Sequence, residues 1–163
     1  MHVDIEGATR MARLATEFDW SWAVDDLEPF CAAAGWEIVE LGKNGASLRT
    51  NLRVDRPEAR MSGRLRTMDY ISAFATDLAD DSTPMTQVRP LLDGGFADLI
   101  AALSPLLGTP SRFEPGPQAT VRWDLPKVVV ELSMTPSAIH QSLKSRAYQA
   151  WMDEPEPEYG DED

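Results

Sequence analysis

Apolar residues recur along this chain at two spacings, three to four positions in some segments and two positions in others. Within residues 19–36, apolar side chains follow the helical spacing at Val24, Leu27, Cys31 and Ala34. Gly35 can end this helix in the left-handed conformation, and Pro29 predicts a kink or a restart within it. After a loosely ordered start at residues 1–8, a shorter helix is expected in RMARLATEF. The first part of the chain is therefore predicted to be helical.

The clearest helical stripe lies in GGFADLIAALSPLLG, residues 94–108. Its apolar positions are Phe96, Leu99, Ile100, Leu103, Leu106 and Leu107. Asp93 is expected to cap this helix, and Gly108 followed by Pro110 is expected to end it. The preceding ADDSTPMTQVRP is polar and carries prolines, which predicts a linker with room for a helical turn after Pro84.

Alternating apolar and polar positions predict strands elsewhere. WEIVEL and ASLRTNL flank the turn formers GKNG, which indicates a β-hairpin. RMSGRLRTM and DYISAFATDL form either a second hairpin or one long bent strand. ATVRWDL, PKVVVELSM and PSAIHQSLK alternate in the same way with tight joints, as in an antiparallel meander. TPSRFEPGPQ is predicted to be an extended loop, and SRAYQAWM a terminal element that its aromatic residues attach to the body.

Strands that come in runs rather than alternating with helices predict the α+β class. The expected architecture is an antiparallel sheet of about six strands with two amphipathic helices packed on one face. A length of 163 residues corresponds to one domain, which we place at residues 1–150. Residues 151–163, here called the acidic tail, carry seven acidic and no basic residues and are predicted to be disordered.

The formal net charge of −12 narrows the class of partner. A nucleic-acid-binding protein is expected to show a basic face, and acidic residues intersperse the arginines between positions 49 and 66. Nucleic acid is therefore disfavoured, whereas a protein with a basic face remains a suitable partner. A charge that only maintains solubility is the simpler interpretation.

The sequence also predicts a location. No signal peptide is expected, because the N-terminal segment has no apolar core and carries acidic residues early. No apolar run of the roughly 20 residues that span a bilayer is expected either. A single cysteine excludes an internal disulfide. Together these features predict a cytoplasmic protein that does not insert into a membrane.

Few residues are candidates for chemistry, and no catalytic, cofactor-binding or metal-binding residue is predicted. Cys31 lies on the apolar stripe of its helix and is interpreted as a buried small residue. His2 is near the terminus and His140 lies in a strand, so a zinc site lacks ligands. The Gly-Gly of DGGF, residues 93–96, lacks the spacing of a phosphate-binding loop. The adjacent acidic pairs, such as Asp80 and Asp81, lack the spacing of a calcium loop.

Aromatic and acidic residues are the candidates for binding a protein partner. Tryptophan buries a large area with few rotatable bonds and is enriched at interfaces, although core positions would also explain all five tryptophans. The predicted contact residues are Trp20, Trp22, Asp25, Asp26, Asp153, Glu154, Glu156 and Glu158. The acidic tail would either lie across a basic partner or serve solubility alone.

Three segments carry a resemblance to known proteins: DWSWAVDDLEPFCAAAGWEIVE, FADLIAALSPLLGTP and VRWDLPKVVVELSM. They resemble a family of small acidic actinobacterial proteins of unknown function. The shared features are a Trp-containing helix that runs into Gly-Trp, a helix that ends in Leu-Gly-x-Pro, and a Trp-containing strand hairpin. The order of elements is also similar to secretion-chaperone-like domains and to immunity proteins of toxin systems, at the level of fold alone.

These observations lead to one main hypothesis and two alternatives. The main hypothesis is a non-enzymatic cytoplasmic protein-binding domain, as an immunity protein or a dedicated chaperone that sequesters a secreted partner. The first alternative is a small enzyme or ligand-binding domain with a cleft between helix and sheet, in which His140 acts with a nearby carboxylate. The second alternative is a homo-oligomeric structural domain.

Overall fold

Eight strands form one antiparallel sheet in a computed structural model of the protein, which describes residues 1–155. The strands are β1 (Glu37–Leu41), β2 (Gly45–Arg49), β3 (Glu58–Arg64), β4 (Thr67–Phe74), β5 (Arg112–Glu114), β6 (Thr120–Asp124), β7 (Val129–Met134) and β8 (Ile139–Lys144). Their order across the sheet is β1-β2-β3-β4-β8-β7-β6-β5. The helices are α1 (Ile5–Glu17), α2 (Leu27–Ala34), α3 (Met85–Leu107) and α4 (Arg146–Asp153), and a 3₁₀ turn at Val24–Asp26 precedes α2.

The α+β class with a single antiparallel sheet is confirmed, but six strands and two helices were too few. The short strand β5 lies in the proline-containing segment that was predicted to be a loop, and it pairs with β6 at the edge of the sheet. Helix α1 begins at Ile5, where residues 1–8 were expected to be loosely ordered. Asp4 caps it by accepting a hydrogen bond from the Gly7 N–H, and the same carboxylate accepts one from the Arg53 N–H.

Helices α1, α2 and α3 pack against one face of the sheet, called here the inner face, and enclose one apolar core. Residues that alternate along the strands point into it, so Leu48, Met61, Ile71 and Leu132 are each no more than 2% exposed. Pro29 lies in the first turn of α2, where a helix needs no backbone N–H from that position. Pro29 was predicted to kink or restart this helix, and the helix does start just before it, directly after the 3₁₀ turn.

Helix α3 starts at Met85 after Pro84, eight residues before the predicted cap. Asp93 is an interior position of this helix, and it pairs with Arg89 one turn earlier, with 2.8 Å between Arg89 Nε and Asp93 Oδ1. Gly95 is tolerated inside the helix because a Cβ there would lie 2.9 Å from Cγ2 of Val3. Close packing of the helix on the N-terminal segment thus outweighs the unfavourable helix propensity of glycine.

The early start also makes α3 long and apolar enough, by length and composition alone, to cross a membrane. No such run was expected, because the predicted helix began at residue 94. In this fold α3 supplies one buried stripe of the core: Val88, Leu92, Phe96, Leu99, Leu103 and Leu107. Packing against the sheet and α1 accounts for that apolar stripe.

The segment 59–74 forms a hairpin, which decides between the two predicted alternatives. Leu65 and Arg66 connect β3 to β4 with φ of 50° and 70°, the left-handed values that a tight two-residue hairpin turn requires. The GKNG hairpin of β1 and β2 and the meander of β6, β7 and β8 are also confirmed.

Helix α4 lies on the opposite, outer face of the sheet. The Ser145 hydroxyl caps it by accepting a hydrogen bond from the Tyr148 N–H. Val129 is 2% exposed but is not part of the inner core, which shows that the outer face is covered on this side. Because α4 ends at Asp153, the domain boundary predicted after residue 150 lies inside this helix. Residues 156–163 of the acidic tail, with their predicted disorder, lie outside the described residues.

Candidate functional site

A groove of about 730 Å³ crosses β1 to β4 and β8 on the part of the outer face that α4 leaves uncovered. Its principal side chains are Arg49, Arg60, Tyr70, Ser72, Phe74 and His140. They face outward because each alternates with a core residue on its own strand, as Ser72 does with Ile71 and Ala73. The strand pattern that builds the core therefore also builds this groove.

Small hydroxyl residues form the middle of the groove. Strand register places Ser47 opposite Arg60, Arg60 opposite Ser72, and Ser72 opposite Ser142. The hydroxyls of Ser142 and Ser72 are hydrogen-bonded to each other at 3.0 Å. The result is a shallow polar channel with one arginine in it.

Aromatic rings border this channel. Phe74 and His140 are cross-strand neighbours whose ring centroids lie 4.5 Å apart. Tyr70, two residues before Ser72, packs against Tyr148 of α4 with 5.7 Å between ring centroids. Burial lowers the pKa of His140 below its ordinary value, so its imidazole is neutral at neutral pH.

The groove has one carboxylate in its lining, that of Glu58. Within residues 1–155 no carboxylate is hydrogen-bonded to His140, and no group of three or more His, Cys, Asp or Glu side chains is arranged to hold a metal ion. His140 and Glu58 thus line the same groove without a hydrogen bond between them in the described part of the chain.

The two arginines differ in their neighbours. Arg49 donates a hydrogen bond of 2.9 Å to Glu37, and strand register places it between Glu37 and Glu58. Arg60 forms no ion pair within the described residues, since its cross-strand neighbours are serines. Of the two arginines in the groove lining, Arg60 is therefore the one without an ion-pair partner in the described part of the chain.

The predicted contact residues Trp20 and Trp22 lie away from this groove and pack on each other. Their rings are stacked with centroids 4.3 Å apart. Trp20 is 7% exposed and donates its indole N–H to the carbonyl of Ala15, and Trp22 donates its indole N–H to the carbonyl of Lys127. These tryptophans mainly close the end of the helical layer.

The neighbouring acids have different surroundings. Asp25 is exposed, whereas Asp26 accepts hydrogen bonds from the N–H groups of Ser21 and Trp22, both at 2.8 Å, and from the Ser21 hydroxyl at 2.9 Å. Trp22 has a φ of 65°, which is uncommon for a residue with a side chain. Asp26 therefore organises the loop that holds Trp22.

The described acids near the C-terminus lie on or just after α4. Asp153 accepts two hydrogen bonds from the Arg122 guanidinium, at 3.0 and 2.9 Å, and this interaction lowers the pKa of Asp153. Glu154 is exposed, and Glu156 and Glu158 lie outside the described residues. Asp153 thus serves first to attach α4 to the outer face.

Cys31 is 2% exposed in α2, and burial raises the pKa of its thiol to about 11. A thiol of this kind is a poor nucleophile at neutral pH, because the reactive form is the thiolate. Its structure is that of a core residue.

The sequence reasoning missed the groove residues other than His140. A signal was present, since polar residues such as Ser47 and Arg60 alternate with apolar ones in predicted strands. That alternation shows which residues face away from the core, but not which of them meet across neighbouring strands.

Fold and groove define a class: an α+β protein whose single antiparallel sheet carries three helices on one face and a partly open groove on the other. Residues 6–145 match a family model described as a family of unknown function, DUF6301, and the chain belongs to that family. The resemblance to a family of unknown function is thereby confirmed. No curated protein matches the sequence.

The chain is similar to the solved structure of a DUF4309 family protein, YjgB, from Bacillus subtilis subsp. subtilis str. 168. The two share 16% sequence identity, over 88% of this chain and 96% of the other, with a TM-score of 0.44. This similarity is too low to transfer a property of YjgB to this chain.

Proposed function

We propose that this protein is a non-enzymatic protein-binding domain that binds its partner on the open part of the outer sheet face. The observation that carries the proposal is the groove itself. A partner segment would bury the aromatic rings of Tyr70 and Phe74, and aromatic side chains are enriched at protein interfaces.

The net charge of −12 supports a protein with a basic face as the partner. Exposed acids lie on the helical layer, such as Asp25 and Asp98, and also on the strands and loops, such as Glu40 and Asp55. Such a field raises the rate of encounter with a basic protein, while contacts at the buried aromatic residues determine how long the complex lasts. The acids named from the sequence, Asp25 among them, would act at this encounter stage.

The experiment is affinity purification of the tagged full chain from cells that naturally express it, at low and high salt. We expect a stoichiometric protein partner with the wild type, and its loss with Phe74→Ser in the groove. Leu91→Ser is the matched control, because Leu91 is 53% exposed on α3, far from the outer face. A partner retained equally by Phe74→Ser, or no stoichiometric partner in either salt, would contradict the proposal.

A narrower form of the proposal is that binding sequesters a secreted partner in the cytoplasm, as an immunity protein or a dedicated chaperone does. The small size of 163 residues and the net charge of −12 support this form. Co-expression separates the two roles. An immunity protein would restore growth of cells that express the partner, whereas a chaperone would raise the amount of soluble partner without affecting growth.

One observation favours the alternative function, a small enzyme or ligand-binding domain. His140 borders the groove, and its lowered pKa keeps the imidazole in the neutral form that a general base requires. The groove contributes Glu58 as its carboxylate. An activity that is lost in His140→Gln and reduced in Glu58→Gln, with partner binding unaffected, would establish this function in place of the first.

A further inference from the structure

Arg60 is surrounded differently from the other basic residues of the outer face. Arg49 pairs with Glu37, Arg122 with Asp124 and Asp153, and Lys144 with Glu131. Arg60 has serines as its cross-strand neighbours on both sides and no acid paired with it in residues 1–155. Two acids lie near it, Glu58 two positions earlier on β3 and Glu40 opposite Ser47, but neither is paired with Arg60 within residues 1–155, so its guanidinium can bind an anionic group.

The serines beside Arg60 add hydrogen-bond donors. The bond between the Ser72 and Ser142 hydroxyls uses one of their two protons, and the other hydroxyl proton has no acceptor within the described residues. Ser47, on the opposite side of Arg60, is exposed. A guanidinium flanked by hydroxyl donors is suited to a carboxylate, which only accepts hydrogen bonds.

Strand β4, which carries Ser72, sets the spacing of the apolar contacts around Arg60. Tyr70, Ser72 and Phe74 alternate along β4 and face outward, so the Cα atoms of Tyr70 and Phe74 lie about 7 Å on either side of the Ser72 Cα. An extended ligand chain has the same period, and side chains at i, i+2 and i+4 of the ligand would meet Tyr70, the Ser72–Arg60 position and Phe74 in turn.

We propose that the groove binds an extended segment of the partner protein with the pattern apolar-x-acid-x-apolar, whose central carboxylate pairs with Arg60. This inference rests on the proposed protein-binding function and specifies what the groove recognises. The segment is locally acidic although the partner as a whole has a basic face, and the two features act on different surfaces of this protein. A single available cation matches the single charge of a carboxylate better than the double charge of a phosphate.

The test uses amide NMR of the ¹⁵N-labelled full chain titrated with three acetylated, amidated pentapeptides. They are Leu-Ser-Glu-Ser-Leu and its analogues with a central Gln or Lys. We expect the Glu peptide to shift the amides of Arg60, Ser72, Phe74 and His140 in a saturable way. We expect the Gln peptide to bind about tenfold more weakly, since a hydrogen bond to a charged group is lost, and the Lys peptide to bind no better than Gln.

Protein variants complete the design. Arg60→Gln should reduce the affinity for the Glu peptide about tenfold and leave that for the Gln peptide unchanged. Arg13→Gln removes the same charge from an exposed position on α1 and should leave both affinities unchanged.

Equal binding of the Glu and Gln peptides, or tighter binding of the Lys peptide, would overturn the carboxylate preference and leave the groove as the partner-binding site. Absence of groove shifts with all three peptides would overturn the peptide pattern. The proposed function is judged separately, by whether Phe74→Ser loses the natural partner.

Discussion

Replacement of Asp26 by alanine tests whether this acid stabilises the fold or serves mainly as a contact for a partner. Its carboxylate accepts three hydrogen bonds, of which the one from the Trp22 N–H is partly buried and the two from Ser21 are exposed. A hydrogen bond to a charged acceptor contributes about 1.5–3 kcal/mol when water cannot replace it. Since water can replace the two exposed bonds, we expect a loss of about 2 kcal/mol from Asp26→Ala.

The assay is urea unfolding followed by tryptophan fluorescence, with thermal unfolding as a second measurement. A loss of about 2 kcal/mol should lower the melting temperature by roughly 4–8 °C in a domain of this size. The slope of the free energy of unfolding against urea concentration should stay unchanged, because the substitution does not change the surface that unfolding exposes.

Asp25→Ala is the matched control, because Asp25 is adjacent, exposed and equally charged, and its carboxylate accepts no hydrogen bond within the described residues. It should leave the unfolding midpoint unchanged. Equal midpoints for the two variants would refute the assignment of Asp26 to the Trp22 loop. Asp26 would then return to the set of partner contacts together with Asp25.

Three further predictions concern packing, pH and reactivity. Gly63→Ala should destabilise the fold by more than about 3 kcal/mol, because the added Cβ would overlap the Thr67 carbonyl oxygen. A loss below about 1 kcal/mol in denaturant unfolding would contradict this packing. The Arg122 interaction lowers the pKa of Asp153 in the folded protein. The ion pair therefore stabilises α4 fully above about pH 4, and this stabilisation is lost as the pH falls through the lowered pKa. Amide NMR of α4 should show this loss, and Asp153→Asn should remove the pH dependence. The thiol of Cys31 should react with a disulfide reagent at pH 8 only after unfolding in urea, and rapid reaction of the native protein would show that α2 opens.

Most of the strand positions were predictable because alternation reports burial directly. In β6 and β7 every second residue is apolar and buried, and the tight connections left only an antiparallel arrangement. The strand β5 was not predictable from its own residues, since all three are exposed and Phe113 is 55% exposed. It exists because the edge of β6 offers it backbone hydrogen bonds.

The start of α3 shows a local signal that was overridden by packing. Asp93-Gly94-Gly95 reads as a helix start, because aspartate caps helices and glycine weakens their interior. In the fold, Val88 and Leu92 extend the buried stripe by two turns before this point. The free energy gained by burying those two side chains exceeds the cost of placing Gly94 and Gly95 inside a helix, so the helix continues through the glycines.

The candidate site was predictable only in part for a similar reason. The sequence identified His140 as a residue of possible interest, and the outward direction of its neighbours follows from alternation. Its proximity to Phe74 depends on the pairing of β4 with β8, two strands separated by more than 60 residues of chain. Arg60 could not be singled out from the sequence, because the serines beside it, Ser47 and Ser72, lie on neighbouring strands.

The sequence by itself determined the α+β class, the positions of most strands and the division of each strand into a core side and an outer side, because those features depend on residues two to four positions apart. Tertiary structure alone decided that β8 pairs with β4, that α4 covers one part of the outer face, and that Arg60, which has no ion pair within residues 1–155, lies between serines in the remaining groove. These features depend on which strands become neighbours and in what register, and that choice is made by burying the whole core at once.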